Sequence, residues 1–114
     1  MKKTTKNKKL SSLLPQIEQK IRLLFGNKVI KIILFGSHAR GDYNQESDVD
    51  ILVIVSDANL SKYRKKRIEI ITGFLSDHNI LLSIRIINET VFSDYKEILP
   101  FYKNVINQGV TLYG

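Results

Sequence analysis

The chain has 114 residues, with 18 Lys or Arg and 11 Asp or Glu, and its formal net charge is +7. This length suits one domain, and an apolar fraction of 43% supplies a hydrophobic core, which excludes collagen-like, low-complexity and wholly disordered chains. The absence of cysteine excludes disulfides, thiolate metal sites and cysteine nucleophiles, and because no apolar run has signal-peptide or membrane-spanning length we expect a cytoplasmic protein.

The excess positive charge is concentrated at the N-terminus. Residues 1–10 contain five lysines and no acidic residue, whereas the remaining residues carry a net charge of only +2. Because they have few apolar side chains, we predict that residues 1–10 are a basic flexible leader and that residues 11–114 form a single domain. The leader is either solvated or in contact with an acidic partner or polyanion.

The first two predicted elements are a helix and a strand. Apolar residues at spacings of three and four predict a helix over residues 12–24, with Ser11 or Ser12 as its N-cap and Pro15 in its first turn. Residues 29–35 are almost wholly apolar and rich in β-branched side chains, which predicts a strand that is buried on both faces.

Four more elements are predicted after a polar, turn-rich connection. Residues 50–55 form a second buried strand, residues 60–75 a helix and residues 80–87 a third strand. After a short irregular or helical piece, residues 101–108 form a last helix, and residues 110–113 dock as an apolar end segment. This order of elements predicts an α/β fold with a small sheet.

Two aspartates lie at the beginning of the second strand. Asp48 and Asp50 are two residues apart, so the alternation of a strand places both carboxylates on the same face. Two carboxylates held this close call for a cation, and oxygen ligands without histidine or thiolate suit Mg²⁺ or Mn²⁺. The alternative is that the pair forms a turn and caps the strand.

The first strand ends at a potential phosphate-binding turn. Gly36 allows a phosphate to approach the backbone, and the hydroxyl of Ser37 and nearby N–H groups can donate hydrogen bonds to it. Arg40 either contacts the phosphates or pairs with Asp42. His38 is predicted to be an exposed loop residue rather than a general base. The turn and the aspartates meet if the two strands are antiparallel neighbours.

The string GSHARGDYNQESDVDILV resembles the DNA polymerase β-like nucleotidyltransferase superfamily, in which a strand and Gly-Ser precede Asp-x-Asp on the next strand. The chain is similar in length to the minimal nucleotidyltransferases, which work beside a HEPN-domain partner in toxin–antitoxin pairs. The resemblance implies a small mixed sheet flanked by helices, with Gly36 and Ser37 at the triphosphate of ATP and Asp48 and Asp50 as Mg²⁺ ligands. It also implies transfer of AMP to a tyrosine of the HEPN protein.

One feature departs from the superfamily's pattern. Active members carry a third carboxylate on the strand after the long helix, whereas residues 80–87 offer Ser83 and Arg85 on the corresponding face and no Asp or Glu. Three functions therefore stay open: an Mg²⁺-dependent transferase that uses ATP, an antitoxin that acts only by binding its partner, and a basic nucleic-acid adaptor. Nucleic acid is the least favoured partner, since the domain outside residues 1–10 is nearly neutral.

Overall fold

The computed structural model describes residue 5 and residues 7–114. Within this part of the chain the helices are α1 (Lys8–Phe25), α2 (Ser37–Arg40), α3 (Arg64–His78), α4 (Glu89–Tyr95) and α5 (Pro100–Gln108). The strands are β1 (Val29–Phe35), β2 (Val49–Val55), β3 (Leu82–Asn88) and β4 (Val110–Tyr113). Short 3₁₀ turns follow α1 and precede α3.

The four strands form one mixed sheet in the order β3-β2-β1-β4. β1 is antiparallel to β2 and β4, so the condition under which the glycine turn and the aspartates meet is fulfilled. β2 and β3 are parallel, because α3 carries the chain back to the start of the sheet between them. The end segment is a strand, since its backbone pairs with β1.

The two faces of the sheet are covered by different helices. Along β2, alternate residues from Val49 to Val55 pack with α1 and α3, whereas Leu52 and Ile54 pack with Val105 of α5 and its neighbours. Asp50 and Leu52 are two residues apart on β2, so their side chains lie on the same face of the sheet. Its side chain therefore belongs to the face that α4 and α5 cover.

The first helix begins earlier than predicted. It starts at Lys8 and not at residue 12, because the side chain of Asn7 caps it by accepting a hydrogen bond from the backbone N–H of Leu10 at 3.1 Å. Leu10 is 1% exposed and belongs to the core. Residues 8–10 of the predicted leader are thus helical, and residues 1–4 and 6 of that leader lie outside the described residues. Pro15 lies in the helix interior on its exposed side and not in the first turn.

Among the described residues, no helix has both the length and the apolar character needed to cross a membrane.

Candidate active site

Gly36 ends β1 in a backbone conformation that only glycine adopts readily. Its φ is +75° and its ψ is −157°. A Cβ atom at this position would overlap the carboxylate oxygen Oδ2 of Asp50 and would lie 3.2 Å from the carboxylate carbon. The structure thus brings the glycine turn and the second aspartate into direct proximity. The antiparallel register explains this, because Phe35 pairs with Asp50.

Ser37 begins the four-residue helix α2. The carbonyl of Gly36 accepts hydrogen bonds from the N–H groups of Ala39 at 3.1 Å and Arg40 at 3.0 Å, which closes the turn. The N–H groups of Ser37 and His38 lie at the start of the helix, where helical geometry provides no acceptor within the helix. Gly41, in the left-handed conformation, ends the helix.

The two aspartates differ in their surroundings. Asp50 is half-buried and Asp48, directly before β2, is exposed. Burial raises the pKa of Asp50 and the negative charge of Asp48 raises it further, whereas the electrostatic effect of Arg85, followed by those of His38 and Arg40, opposes this rise. A half-buried carboxylate beside a second negative charge is destabilised when it is ionised. A bound cation would relieve this cost.

A cleft of about 370 Å³ opens between the glycine turn and α5. Its wall includes the turn, the second aspartate and one side of the last helix: Phe35, Gly36, Ser37, Arg40, Asp50, Phe101, Asn104, Val105 and Gln108. Sequence reasoning missed Asn104 and Gln108. Their spacing of four on a helix could have shown that they share one face, but nothing in the sequence shows that this face meets β1.

Arg40 both pairs with Asp42 and lines the cleft, the two roles that the sequence left open. Its Nε atom is 3.3 Å from the Oδ2 atom of Asp42, and its side chain also lines the cleft. The ion pair is exposed, so it is weak and Arg40 can exchange Asp42 for an anionic ligand.

The prediction that His38 is an exposed loop residue is wrong, because its side chain is only 4% exposed. α2 turns the ring beneath the connection between the strands, where it stacks on Tyr43 with ring centroids 4.7 Å apart. Its Nε2 atom lies 3.3 Å from the carbonyl oxygen of Ser47, the residue before Asp48. Its own carbonyl accepts a hydrogen bond from Thr5 at 2.9 Å. His38 therefore holds the connection that presents Asp48.

The neighbouring strand adds no carboxylate to the site. In the parallel register, Asp50 pairs with Ser83, and Leu52 pairs with Arg85. Asp77 lies near the end of α3 and Glu89 begins α4, so both lie outside β3. Residues 5 and 7–114 contain no group of three or more His, Cys, Asp or Glu side chains that could hold a metal ion. The described site has two carboxylates.

The fold is shared with proteins of solved toxin–antitoxin complexes. A structure of the toxin–antitoxin MntA–HpeT has a TM-score of 0.60 at 20% identity, over 89% of this chain and 73% of that chain. A structure of the tri-AMPylated Shewanella oneidensis HEPN toxin with MNT antitoxin has a TM-score of 0.55 at 20% identity, covering 89% and 69%. A toxin–antitoxin complex with AMP-PNP has a TM-score of 0.54 at 24% identity, covering 85% and 73%. The predicted mixed α/β nucleotidyltransferase fold is thereby confirmed.

The sequence is also similar to proteins of Methanocaldococcus jannaschii. It is 32% identical to "Putative protein adenylyltransferase MJ0141" over 79% of this chain and 91% of that protein. It is 37% identical to "Putative protein adenylyltransferase MJ0604" over 78% of this chain and 83% of that protein. A family model described as "Nucleotidyltransferase domain" matches residues 14–106. Since that match spans most of the chain and both motifs around the cleft, the chain belongs to the nucleotidyltransferase domain family.

Proposed function

We propose that this protein transfers AMP from ATP to a hydroxyl group of a partner protein in the cytoplasm, in an Mg²⁺-dependent reaction. The proposed partner is a HEPN-domain toxin, and the chain is its antitoxin. Gly36, Ser37 and Arg40 bind the phosphates, and Asp48 and Asp50 are the catalytic metal ligands. The observation that carries the proposal is the contact between the two motifs, since the carboxylate of Asp50 occupies the space that the missing side chain of Gly36 leaves.

The residues around the cleft fit a nucleotide with a hard divalent cation. Asp50 is half-buried, and burial together with Asp48 raises its pKa, so the pair gains by binding positive charge. All the donor atoms are carboxylate oxygens, which suit Mg²⁺, with Mn²⁺ as a substitute. When bound, the ion supplies charge neutralisation at the phosphates.

The proposed reaction is an in-line displacement at the α-phosphate. The acceptor oxygen forms a bond to the α-phosphorus, the bond from that phosphorus to the bridging oxygen breaks, and pyrophosphate leaves. The acceptor proton is released to water. The role of this chain is to position and to stabilise charge: Gly36 lets the phosphates approach the backbone, while Ser37 and Arg40 donate hydrogen bonds to them.

The similar proteins support the acceptor and the partner. The two M. jannaschii relatives carry the name "Putative protein adenylyltransferase", and one structure of the same fold contains a HEPN toxin that carries AMP groups. Another contains AMP-PNP, an analogue of ATP. These names describe the relatives. We extend them to this chain because it retains both motifs at the cleft.

Nucleotide binding is the first test. We expect isothermal titration calorimetry to show that ATP binds this protein with Mg²⁺ and binds at least tenfold more weakly without it. Asp50→Asn should weaken the binding of MgATP to a similar extent. Asp77→Asn is the matched control, because Asp77 is an exposed carboxylate on α3, beneath the opposite face of the sheet. Binding that is insensitive to both Mg²⁺ and Asp50→Asn would overturn the site assignment.

Transfer is the second test. The protein is mixed with Mg²⁺, ATP labelled at the α-phosphate, and a HEPN-domain protein encoded beside it. We expect the label to appear on the HEPN protein, to require Asp48 and Asp50, and to leave that protein inactive. Label on neither protein, while MgATP binds normally, would remove the transferase assignment.

The second candidate function is an antitoxin that acts by binding alone. It is favoured by one observation, namely that β3 places Ser83 and Arg85, and no carboxylate, beside Asp50 and Leu52. In that case Asp48→Asn would leave both partner binding and toxin neutralisation unchanged. Under the transferase proposal the same variant still binds its partner but no longer neutralises it.

A further inference from the structure

Arg85 is a strong positive charge beside the candidate active site, and its guanidinium has no polar partner. It is exposed on β3, and within residues 5 and 7–114 its guanidinium forms no hydrogen bond or ion pair. The guanidinium carbon lies 5.1 Å from the ring centroid of Phe101, a residue that lines the cleft. The position of the guanidinium is thus held by an aromatic ring, and its hydrogen-bond donors stay available.

Arg85 and the glycine turn lie on opposite sides of Asp50. β2 is the central strand of the three, with β1 and the Gly36 turn on one side and β3 with Arg85 on the other. If the terminal phosphates of a triphosphate bind at Gly36 and Ser37 and its remaining phosphate lies beyond Asp50, the triphosphate extends toward β3. Its α-phosphate, the reacting group, is then the phosphate nearest to Arg85.

The charges agree with this placement. Among the neighbouring basic side chains Arg85 has the largest electrostatic effect on Asp50, so it acts on the same region of the cleft. The two aspartates of the site therefore have a cation on the β3 side of Asp50.

We propose that Arg85 binds the α-phosphate of the nucleotide and stabilises the charge that develops on its oxygens during transfer. This inference rests on the proposed function and places a fixed positive charge at the reacting phosphate. The guanidinium suits the task because it is always protonated and presents donors in a planar fork that matches phosphate oxygens. Phe101 is a positioning residue, since it acts through Arg85.

The test compares three variants of the full chain. Arg85→Met keeps a long side chain that can still lie on Phe101 but removes the charge, and Arg85→Lys keeps the charge without the fork. Arg64→Met is the matched control, because Arg64 is an exposed arginine at the start of α3 on the opposite side of the sheet. For each we measure the dissociation constant of MgATP by calorimetry, kcat and KM for AMP transfer, and the number of Mn²⁺ ions bound with ATP by electron paramagnetic resonance.

We expect Arg85→Met to weaken MgATP binding and to lower kcat/KM about ten- to hundredfold, the range of a charge-assisted hydrogen bond. The larger share should be in kcat, because the phosphate charge grows in the transition state. Arg85→Lys should recover part of this loss and Arg64→Met should show none. The number of bound Mn²⁺ ions should be the same in Arg85→Met as in the unaltered protein.

The following results would overturn the inference. If Arg85→Met and Arg64→Met have the same dissociation constant for MgATP and the same kcat/KM, Arg85 does not touch the nucleotide. A gain in activity, or an additional bound Mn²⁺ ion, shows that Arg85 competes with metal for Asp50. If the unaltered protein binds MgATP but transfers nothing, the role of Arg85 in transfer is overturned, and the dissociation constants of Arg85→Met and Arg64→Met decide whether Arg85 binds the nucleotide. If the unaltered protein does not bind MgATP at all, the proposed function fails and this inference fails with it.

Discussion

Replacing Gly36 with alanine tests whether the glycine turn and Asp50 form one unit. The backbone at this position, with φ +75° and ψ −157°, is strained for any residue that has a Cβ atom. The added methyl group would in addition overlap the Oδ2 atom of Asp50, whereas the Cβ atom of Asp50 stays at an ordinary 3.4 Å. The aspartate carboxylate must therefore rotate away from the cleft.

The expected cost has two parts. Backbone strain contributes about 1–3 kcal/mol, and holding the Asp50 side chain away from its preferred rotamer adds about 0.5–1.5 kcal/mol. The free energy of unfolding should therefore fall by about 1.5–4.5 kcal/mol. At an unfolding entropy of about 2.1 cal/mol/K per residue, 1 kcal/mol corresponds to about 4 °C in a domain of this size, so Tm should fall by about 6–18 °C.

Two other glycines separate strain from contact. Gly26 has a similar backbone, with φ +60° and ψ −135°, but a Cβ atom there meets nothing within 4 Å. Gly26→Ala should cost the strain alone and should leave MgATP binding unchanged. Gly73 lies inside α3 with open space around it, so Gly73→Ala should stabilise the protein by about 0.5–1 kcal/mol.

Urea unfolding and MgATP calorimetry of these variants provide the measurements. In an Asp50→Ala background, Gly36→Ala should cost about 1 kcal/mol less, because the overlapping carboxylate is gone. The reasoning is refuted if Gly36→Ala and Gly26→Ala cost the same and Gly36→Ala still binds MgATP. The pairing of Gly36 with Asp50 would then have no consequence for the site.

Burial raises the pKa of Asp50 above its usual 3.8, so the folded state holds the carboxyl proton of Asp50 more tightly than the unfolded state does. The folded state therefore loses stability as the pH rises from 3.8 to the raised pKa. Asp50→Asn should therefore raise the urea midpoint of the metal-free protein at pH 7, with no gain below pH 3.8, and an unchanged midpoint at pH 7 would contradict this. Hydrogen bonds from Lys62 and Tyr63 lower the pKa of Asp57 to about 2. Tyr63→Phe should raise that pKa toward 3.8 in an NMR titration, and the contribution of Asp57 to stability, which is lost as the pH falls toward 2, should then disappear at a higher pH. Leu10→Ala should lower the free energy of unfolding by about 2–5 kcal/mol, since Leu10 is a core residue, whereas a flexible leader would show no loss.

The sequence by itself determined most of the local elements and the motif that identifies the family. The first two strands were recognisable because their apolar, β-branched runs are read within a few residues. Gly36 and the spacing of Asp48 and Asp50 are likewise visible within a short stretch of sequence. They sufficed to recognise the family, and the resemblance implied the mixed sheet; both are confirmed.

Only the tertiary structure decided which distant side chains surround that motif. His38 is buried because Tyr43 stacks on it and Thr5, 33 residues away, donates to its carbonyl. The first helix extends to Lys8 because the core accepts Leu10, a gain that outweighs the surrounding lysine charge. Arg85 lies on Phe101 because β3 and α5 meet over β2. Such contacts depend on how elements far apart in the chain pack together, and local periodicity does not encode that arrangement.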